Sequence, residues 1–545
     1  MHSFASLLLL LAPQIVGTLS YPQHATREST AGPNKERADA VKEAFQFAWN
    51  GYYTYAFPND DLHPISNTAG NSRNAWGASA VDALSTALVM GKTEVVKQIL
   101  DYIPTIDYTT TATEVSMFET TIRYLGGMIS SYELLTGPLK NLSNDTRGVQ
   151  ALLDQSVNLA NALKFAFDLN PTGIPSNNIY FTNHSDDGTP SNGIATIGTL
   201  VLEWTRLSDL TGIDEYGQLT QKAESYLLNP QPAYNEPFPG LIGTYVGLDN
   251  GSFIDATGGW IGGDDSFYEY LIKMWVYDPN RFELYKDRQR RWVTAVESSI
   301  TYLASNPDSR PDLTYLAAYD NSTILKVSEH LACFNGGNFI LGGNVLGREE
   351  FVDFGIKLVD GCRNTYKSTR TGIGPEVFSW NTTTLPANQS AFYEQNGFWI
   401  RTSDYNLRPE VLESYYYAYR QTKDPKYQEW AWEAFRAINA SARRGSGFTS
   451  IKNVNVAGGG AAGDNQESFF FAETMKYAYL IFAEDAEYQV FGGAGGANEW
   501  VWNTEAHPVR IAASRAARRS NSGRGGKYAH RSVDEIGAAL SGEMV

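Results

Sequence analysis

The feature that most limits how this chain can fold is a helix–turn–helix rhythm that runs from about residue 36 to residue 507. Segments with helical periodicity occupy 36–57, 78–91, 115–135, 148–168, 193–212, 265–277, 409–422, 425–439 and 466–483, separated by loops rich in Gly, Pro and Asn. Turns such as YELLTGPLK, SDLTGIDEY and YRQTKDPKYQEW bring one helix end within a few residues of the next helix start. Strand-like runs (NIYFTN, GFTSIKNV) are few and short. Repeated helical hairpins cannot bury their apolar faces singly. They stack, either as an open solenoid or as a closed toroidal α/α barrel. No linker-like stretch interrupts the pattern, so the expectation is one all-α domain over 36–511.

The two ends differ in character. MHSFASLLLLLAPQIVGTLS is apolar from Phe4 to Val16 and broken by Pro13, short of the roughly 20 residues that span a bilayer. Thr18 and Ser20 suit a cleavage site, so residues 1–20 read as a signal peptide, with an uncleaved anchor as the alternative. Residues 21–35 read as a spacer, and the basic, Gly/Ser-rich 512–545 as a tail without a core. Eight N-glycosylation sequons, at Asn141, Asn144, Asn183, Asn250, Asn321, Asn381, Asn388 and Asn439, agree with passage through the secretory pathway. The product is expected to be secreted, or retained in ER- or Golgi-type vesicles. In that compartment Cys333 and Cys362, the only cysteines, either close one loop of about 30 residues as a disulfide or stay as two buried thiols. A net charge of −17 argues against nucleic acid as a partner. No stretch beyond the first segment is long enough to span a membrane, and a monomer is expected.

No paired-histidine metal spacing, nucleophile elbow or phosphate loop is present, and the glycine-rich runs at 256–266 and 455–465 do not follow strands. What remains is carboxylates set into apolar helices or at helix starts. VSMFETTIRYLGGM (115–128) carries Glu119 and Arg123, GGDDSFYEYLIK carries Asp265 and Glu269, LRPEVLES carries Glu410 and Glu413, and QESFFFAETMKY carries Glu467 and Glu473. Each has an ordinary explanation: an i,i+4 ion pair for Glu119–Arg123, an N-cap for Asp265, a first-turn charge for Glu410. Together they are harder to dismiss, because buried carboxylates are costly unless paired or used. A ring of helices could converge them on one cavity. Glycoside hydrolysis needs little more than two carboxyl groups, one to protonate the leaving oxygen and one to activate water. Abundant Tyr, Phe and Trp would line the sugar path.

The motifs WNGYYTYAFPNDDLHP, RNAWGASAVDALSTALVMG, VSMFETTIRYLGG, DSFYEYLIKMW, SEHLACFNGG, LRPEVLESYYYAYR, ESFFFAETMKY and WNTEAHP occur in order over about residues 38–510. In them the chain resembles the class I α-1,2-mannosidases of glycoside hydrolase family 47, most closely the secreted fungal members. The resemblance implies an (α/α)7 barrel and an inverting exo-hydrolase that removes terminal α-1,2-linked mannose from high-mannose N-glycans with one Ca²⁺ bound. It implies Glu119 as general acid, Glu410 as general base and Asp265 as a third catalytic carboxylate that shares or takes over the acid role. Arg123, His330, Arg408, Phe469, Glu473 and Glu505 match sugar-contacting positions. Thr504 matches the metal ligand, with Glu410, Glu413, Glu473 and Glu505 around the ion's waters. The cysteines fall where the family has a disulfide. Asp61 in place of the usual Glu, and Trp502 in place of the usual Phe, are departures that remove no catalytic group. The apolar surroundings of Glu119 are expected to keep its pKa high. Two rivals are a lectin-like relative with weak or no activity, and a purely structural solenoid.

Overall fold

The computed structural model describes residues 33–279 and 283–512. The signal peptide and nearly all of the expected spacer and tail lie outside the described residues. The first helix starts at Pro33, inside the segment read as a spacer.

Seven helical hairpins form a closed ring. The inner helices are α2 (Ala78–Val89), α4 (Gly126–Thr136), α6 (Val201–Thr211), α8 (Asp265–Tyr277), α10 (Asn335–Leu346), α12 (Glu410–Thr422) and α14 (Met475–Leu480). Each packs on an outer partner: α3 (Thr93–Tyr102), α5 (Thr146–Leu163), α7 (Glu215–Leu228), α9 (Glu283–Ser298), α11 (Glu349–Lys367), α13 (Lys426–Ala442) and, for α14, the first helix α1 (Pro33–Tyr55). Successive inner helices touch all the way round, and α14 meets α2, so the two ends of the domain close the barrel. The expected (α/α)7 fold is the fold observed.

Inner and outer helices differ as their positions require. Every residue of α2, ASAVDALSTALV, is buried, whereas α3 buries only Val95, Val96, Ile99 and Leu100. A helix enclosed on all sides is apolar all round, and one on the rim needs a single stripe. In α10, NGGNFILGGNVL, glycines replace side chains where neighbours come closest: a Cβ on Gly342 would fall inside the Trp292 ring. The single helix expected over 193–212 is two, Ile194–Gly198 and α6, separated at Thr199–Leu200.

Strands of two to four residues decorate the connections, paired antiparallel in sheets of two or three. One sheet joins β1 (Val115–Ser116), β2 (Asn178–Tyr180) and β3 (Ser185–Asp186). A late hairpin, β4 (Trp500–Trp502) and β5 (Pro508–Arg510), packs Val501 and Val509 against Val201, Tyr270 and Met274 of α6 and α8. Its turn, Asn503–His507, enters the barrel beside Gly126, where a Cβ would lie 2.5 Å from the Asn503 amide. That close approach accounts for Gly126 of YLGGM, while a Cβ on Gly127 would lie 3.1 Å from Val81 of α2. Trp502 stacks on Tyr477 and donates its indole N–H to the Tyr488 carbonyl at 2.9 Å, so this departure is accommodated without an unpaired polar atom. Asp61 accepts from the Ser72 amide at 3.0 Å.

Cys333, in the turn before α10, is disulfide-bonded to Cys362 of α11. Of the sequons, Asn141, Asn144, Asn183, Asn250, Asn321 and Asn388 are exposed, while Asn381 and Asn439 are half-buried.

Candidate active site

Inside the ring lies a cavity of about 320 Å³, lined in part by Glu119, Arg123, Asp265, Arg408, Glu410, Phe469, Glu473, Thr504 and Glu505. Residues from five separate places in the chain therefore meet, as the resemblance implies. Helix starts bring them together. Asp265 and Glu410 are the first residues of α8 and α12, and Glu119 stands just after Ser116, whose hydroxyl accepts from the Glu119 amide at 3.2 Å. Carboxylates at these ends face the positive pole of each helix. Arg123 and Glu473 sit in π-helical turns, Thr120–Leu125 and Phe470–Thr474, that lead into α4 and α14. Such turns widen the helix and turn side chains out of the regular register.

Glu119 is held by two cations: Arg123 Nε donates to it at 2.7 Å and an Arg73 N–H at 3.3 Å. Arg123 also contacts Glu505, lies 3.5 Å from Asp82 and stacks over the Phe469 ring at 5.7 Å. The expected ion pair within the helix thus exists, as one arm of a larger network. Burial pushes the Glu119 carboxyl up, but Arg123 and Arg73 outweigh it and hold the pKa below the usual range. This corrects the expectation that apolar surroundings keep that pKa high: the nearest groups are guanidinium ions.

Glu410 is likewise held down. Burial raises it, and His330, with Nδ1 at 2.6 Å, together with Arg408 lowers it further than burial lifts it. His330 is buried and does not line the cavity. Its other nitrogen meets the Tyr366 hydroxyl at 2.7 Å, so it is placed behind Glu410 rather than at a sugar-facing position. Arg408 lines the cavity and donates to Glu376 at 2.6 Å.

The remaining carboxyls behave in the opposite way. Burial, reinforced by the negative charge of Glu269, Glu329 and Glu410, pushes Asp265 up to about 7. Its one partner is the Ser266 amide at 2.8 Å, so it does not cap α8 as an ordinary reading would have it. Burial and neighbouring carboxylates likewise lift Glu413 to about 8, and Glu473 well above its usual value. Glu505 also reaches about 8, despite the opposing pull of Arg123.

Among the described residues, no group of three or more His, Cys, Asp or Glu side chains is arranged to grip a metal directly. What the cavity does offer is Thr504 together with Glu410, Glu413, Glu473 and Glu505. This all-oxygen set suits a hard divalent ion held largely through water, whose charge would favour the ionised form of the lifted glutamates.

Several groups lay outside the reach of sequence reasoning. Arg73, in a loop without periodicity, is the second partner of Glu119. Beneath Arg123, Asp82, His507 and Ser85 form a hydrogen-bonded chain with Lys476. Asp82, His507 and Ser85 are fully buried and none lines the cavity, so this Ser–His–Asp set braces the floor and attacks nothing. Asn503 ties the turn down by donating to Glu203 at 2.8 Å and to the Ile122 carbonyl at 2.9 Å.

A closed helical barrel with paired and unpaired carboxylates on one central cavity has what a glycoside hydrolase needs. Comparison with known proteins makes this specific: the model of glycosyl hydrolase family 47 matches residues 44–511, and the chain belongs to that family. It is 60% identical over 484 residues to a mannosyl-oligosaccharide alpha-1,2-mannosidase of Coccidioides posadasii, covering 89% of this chain and 92% of the relative. It is 58% identical over 516 residues to mannosyl-oligosaccharide alpha-1,2-mannosidase 1B of Aspergillus oryzae, covering 94% and 100%. The solved alpha-1,2-mannosidase from Trichoderma reesei superposes with a TM-score of 0.86 at 51% identity, covering 88% of this chain and 100% of that one.

Proposed function

We propose that the protein is an inverting, Ca²⁺-dependent exo-α-1,2-mannosidase that trims terminal α-1,2-linked mannose from high-mannose N-glycans of the Man9GlcNAc2 type. It would act as a monomer in the secretory pathway or after secretion. The observation that carries the reading is the opposite charge state of two carboxyls on one cavity, Asp265 raised to about 7 and Glu410 held ionised by His330 and Arg408. Groups whose surroundings push their pKa values apart are suited to acid and base roles in the same site.

In this mechanism Glu410 accepts a proton from water as the water attacks the anomeric carbon, with His330 keeping the carboxylate oriented and ionised. Asp265 stores the proton that reaches the leaving oxygen. Glu119 rests as an anion clamped by Arg123 and Arg73 and delivers a proton only after receiving one. Phe469 offers a ring face to the sugar, and Arg123 and Arg408 offer N–H donors to its hydroxyls. The metal, held by the oxygens of Thr504 and by waters on the surrounding glutamates, would supply positive charge and a contact for sugar hydroxyls.

The test is digestion of Man9GlcNAc2 with the anomer of the released mannose followed by NMR. Release of β-mannose that stops with EDTA and returns with Ca²⁺ is expected. Release of α-mannose would contradict inversion. Binding of the glycan with no release in Ca²⁺ would favour the lectin-like reading.

A further inference from the structure

A second cleft, of about 270 Å³, lies apart from the central cavity and is lined by Thr109, Asn158, Asn161, Ala162, Phe181 and His184. We propose that it is a carbohydrate subsite that seats a single pyranose ring carrying neighbouring hydroxyl or acetamido groups. Pockets for drug-sized ligands run from about 300 to 1,000 Å³, so this volume suits one ring and not an oligosaccharide.

The lining has the two components that sugar recognition requires. One wall is aromatic: the exposed His184 ring packs on Phe165 at 4.7 Å, and Phe165 packs edge-on to Phe181 at 6.1 Å. Such rings present apolar faces to the C–H face of a sugar. The other wall is one face of α5, where Asn158, Asn161 and Ala162 are neighbours by helical spacing. The amides there are fixed by their far ends. Asn158 donates to Gln155 at 2.9 Å, and Asn161 accepts from the Tyr216 hydroxyl at 3.2 Å. That leaves a carbonyl oxygen on Asn158 and N–H groups on Asn161, the complementary pair that a vicinal diol or acetamide would engage.

Two sources of such a ring are close at hand. Asn183, exposed at the hairpin between β2 and β3, lies between the lining residues Phe181 and His184 in the sequon NHS. Its oxygen accepts from Ser185 at 2.8 Å, which leaves its amide nitrogen available for a glycan. Packing also links the cleft to the helix that carries Arg123. Phe181 packs on Trp76 at 6.1 Å and Trp76 on Tyr124 at 5.7 Å, next to Arg123, while the strand paired to β2 is β1, which leads into Glu119. A free monosaccharide such as mannose, the sugar that the proposed activity releases, is the second source.

The experiment uses the full chain labelled with ¹³C-histidine, with His184→Ala assigning the resonance of interest among the seven histidines. Glycosylated protein, Asn183→Gln, and Asn183→Gln combined with Phe181→Ala are each titrated with N-acetylglucosamine and methyl α-mannoside. If the occupant is the chain's own glycan, the His184 signal is displaced in glycosylated protein and returns on enzymatic removal of the glycan. If it is a free sugar, Asn183→Gln shows a saturable shift, which Phe181→Ala abolishes while the remaining histidine signals keep their folded positions. A His184 signal that neither glycosylation nor either sugar moves overturns the proposal, including the case in which only other histidines, such as His330 near the central cavity, respond. Asn161→Ala provides a milder variant, expected to weaken the shift by about tenfold, the effect of one lost hydrogen bond.

Discussion

Glu119 and Glu410 share a cavity with Asp265, Glu413, Glu473 and Glu505, and all six come from the same two residue types in similarly buried settings. The first two have a cation or an imidazole within 2.7 Å and stay below the ordinary carboxylate range. The others are lifted by burial and by neighbouring carboxylates, Glu505 even though it also contacts Arg123. Burial alone would have treated both sets alike. The difference comes from whether the pull of nearby cations exceeds the cost of burial, which it does at Glu119 and Glu410 and does not at Glu505, and it divides one acidic cavity into groups that accept protons and groups that keep them.

Removing an accepting group should have the largest effect. Glu410→Gln is expected to lower kcat by about 10²–10⁴-fold while Man9GlcNAc2 still binds, measured by single-turnover release against equilibrium binding. Retained activity would erase the distinction altogether. Asp265→Asn should cost about 10²-fold and remove the alkaline limb of the kcat/KM profile. The sign follows from its raised pKa: the proton is held below about 7 and lost above it. Were the limb to vanish instead in Glu119→Gln, the resting proton would belong to Glu119.

A third test addresses the lifted set without mutation. A carboxyl raised in the folded state gives stability that is full below its unfolded pKa, near 4.5, and lost as pH rises through its folded value. For Glu413 and Glu505 that value is about 8. Protein in EDTA should therefore melt at a lower temperature at pH 8 than at pH 5, and Ca²⁺ should raise the melting temperature more at pH 8. At a hundredfold excess over Kd the gain is about 2.7 kcal/mol. A pH-independent Ca²⁺ effect would show that the ion binds elsewhere. The smallest change is expected from Arg73→Ala, which loosens one of two clamps on Glu119: a several-fold loss in kcat/KM, with the acidic limb of the profile unchanged because Glu410 sets it.

Much of the barrel was legible in the sequence because its inner helices are apolar all round and its motifs carry family character. Of the outer helices, α1, α5 and α13 fall in segments with clear helical periodicity, whereas α3, α7, α9 and α11 do not. The four glycines of α10 read as loop until the Trp292 ring beside Gly342 is in place. In the site, Glu119, Asp265, Glu410 and Thr504 could be placed from motifs, and the cavity does gather them. Their protonation could not be read, because whether the adjacent Arg123 outweighs burial at Glu119 depends on the fold, which adds Arg73 there and sets His330 behind Glu410. A Glu within an apolar run looks lifted until the two guanidinium groups that clamp it are in place.

The pairing of α1 with α14 has a consequence for how the molecule is made. The ring has no local seam: its first helix waits for its last, and the turn bearing Thr504 and Glu505 follows every barrel helix in the chain. Six of the seven hairpins can form during synthesis, yet none of them encloses a finished cavity. Catalytic competence should thus switch on once, when the last hairpin closes, and chains cut before Asn503 should be inert towards mannosides.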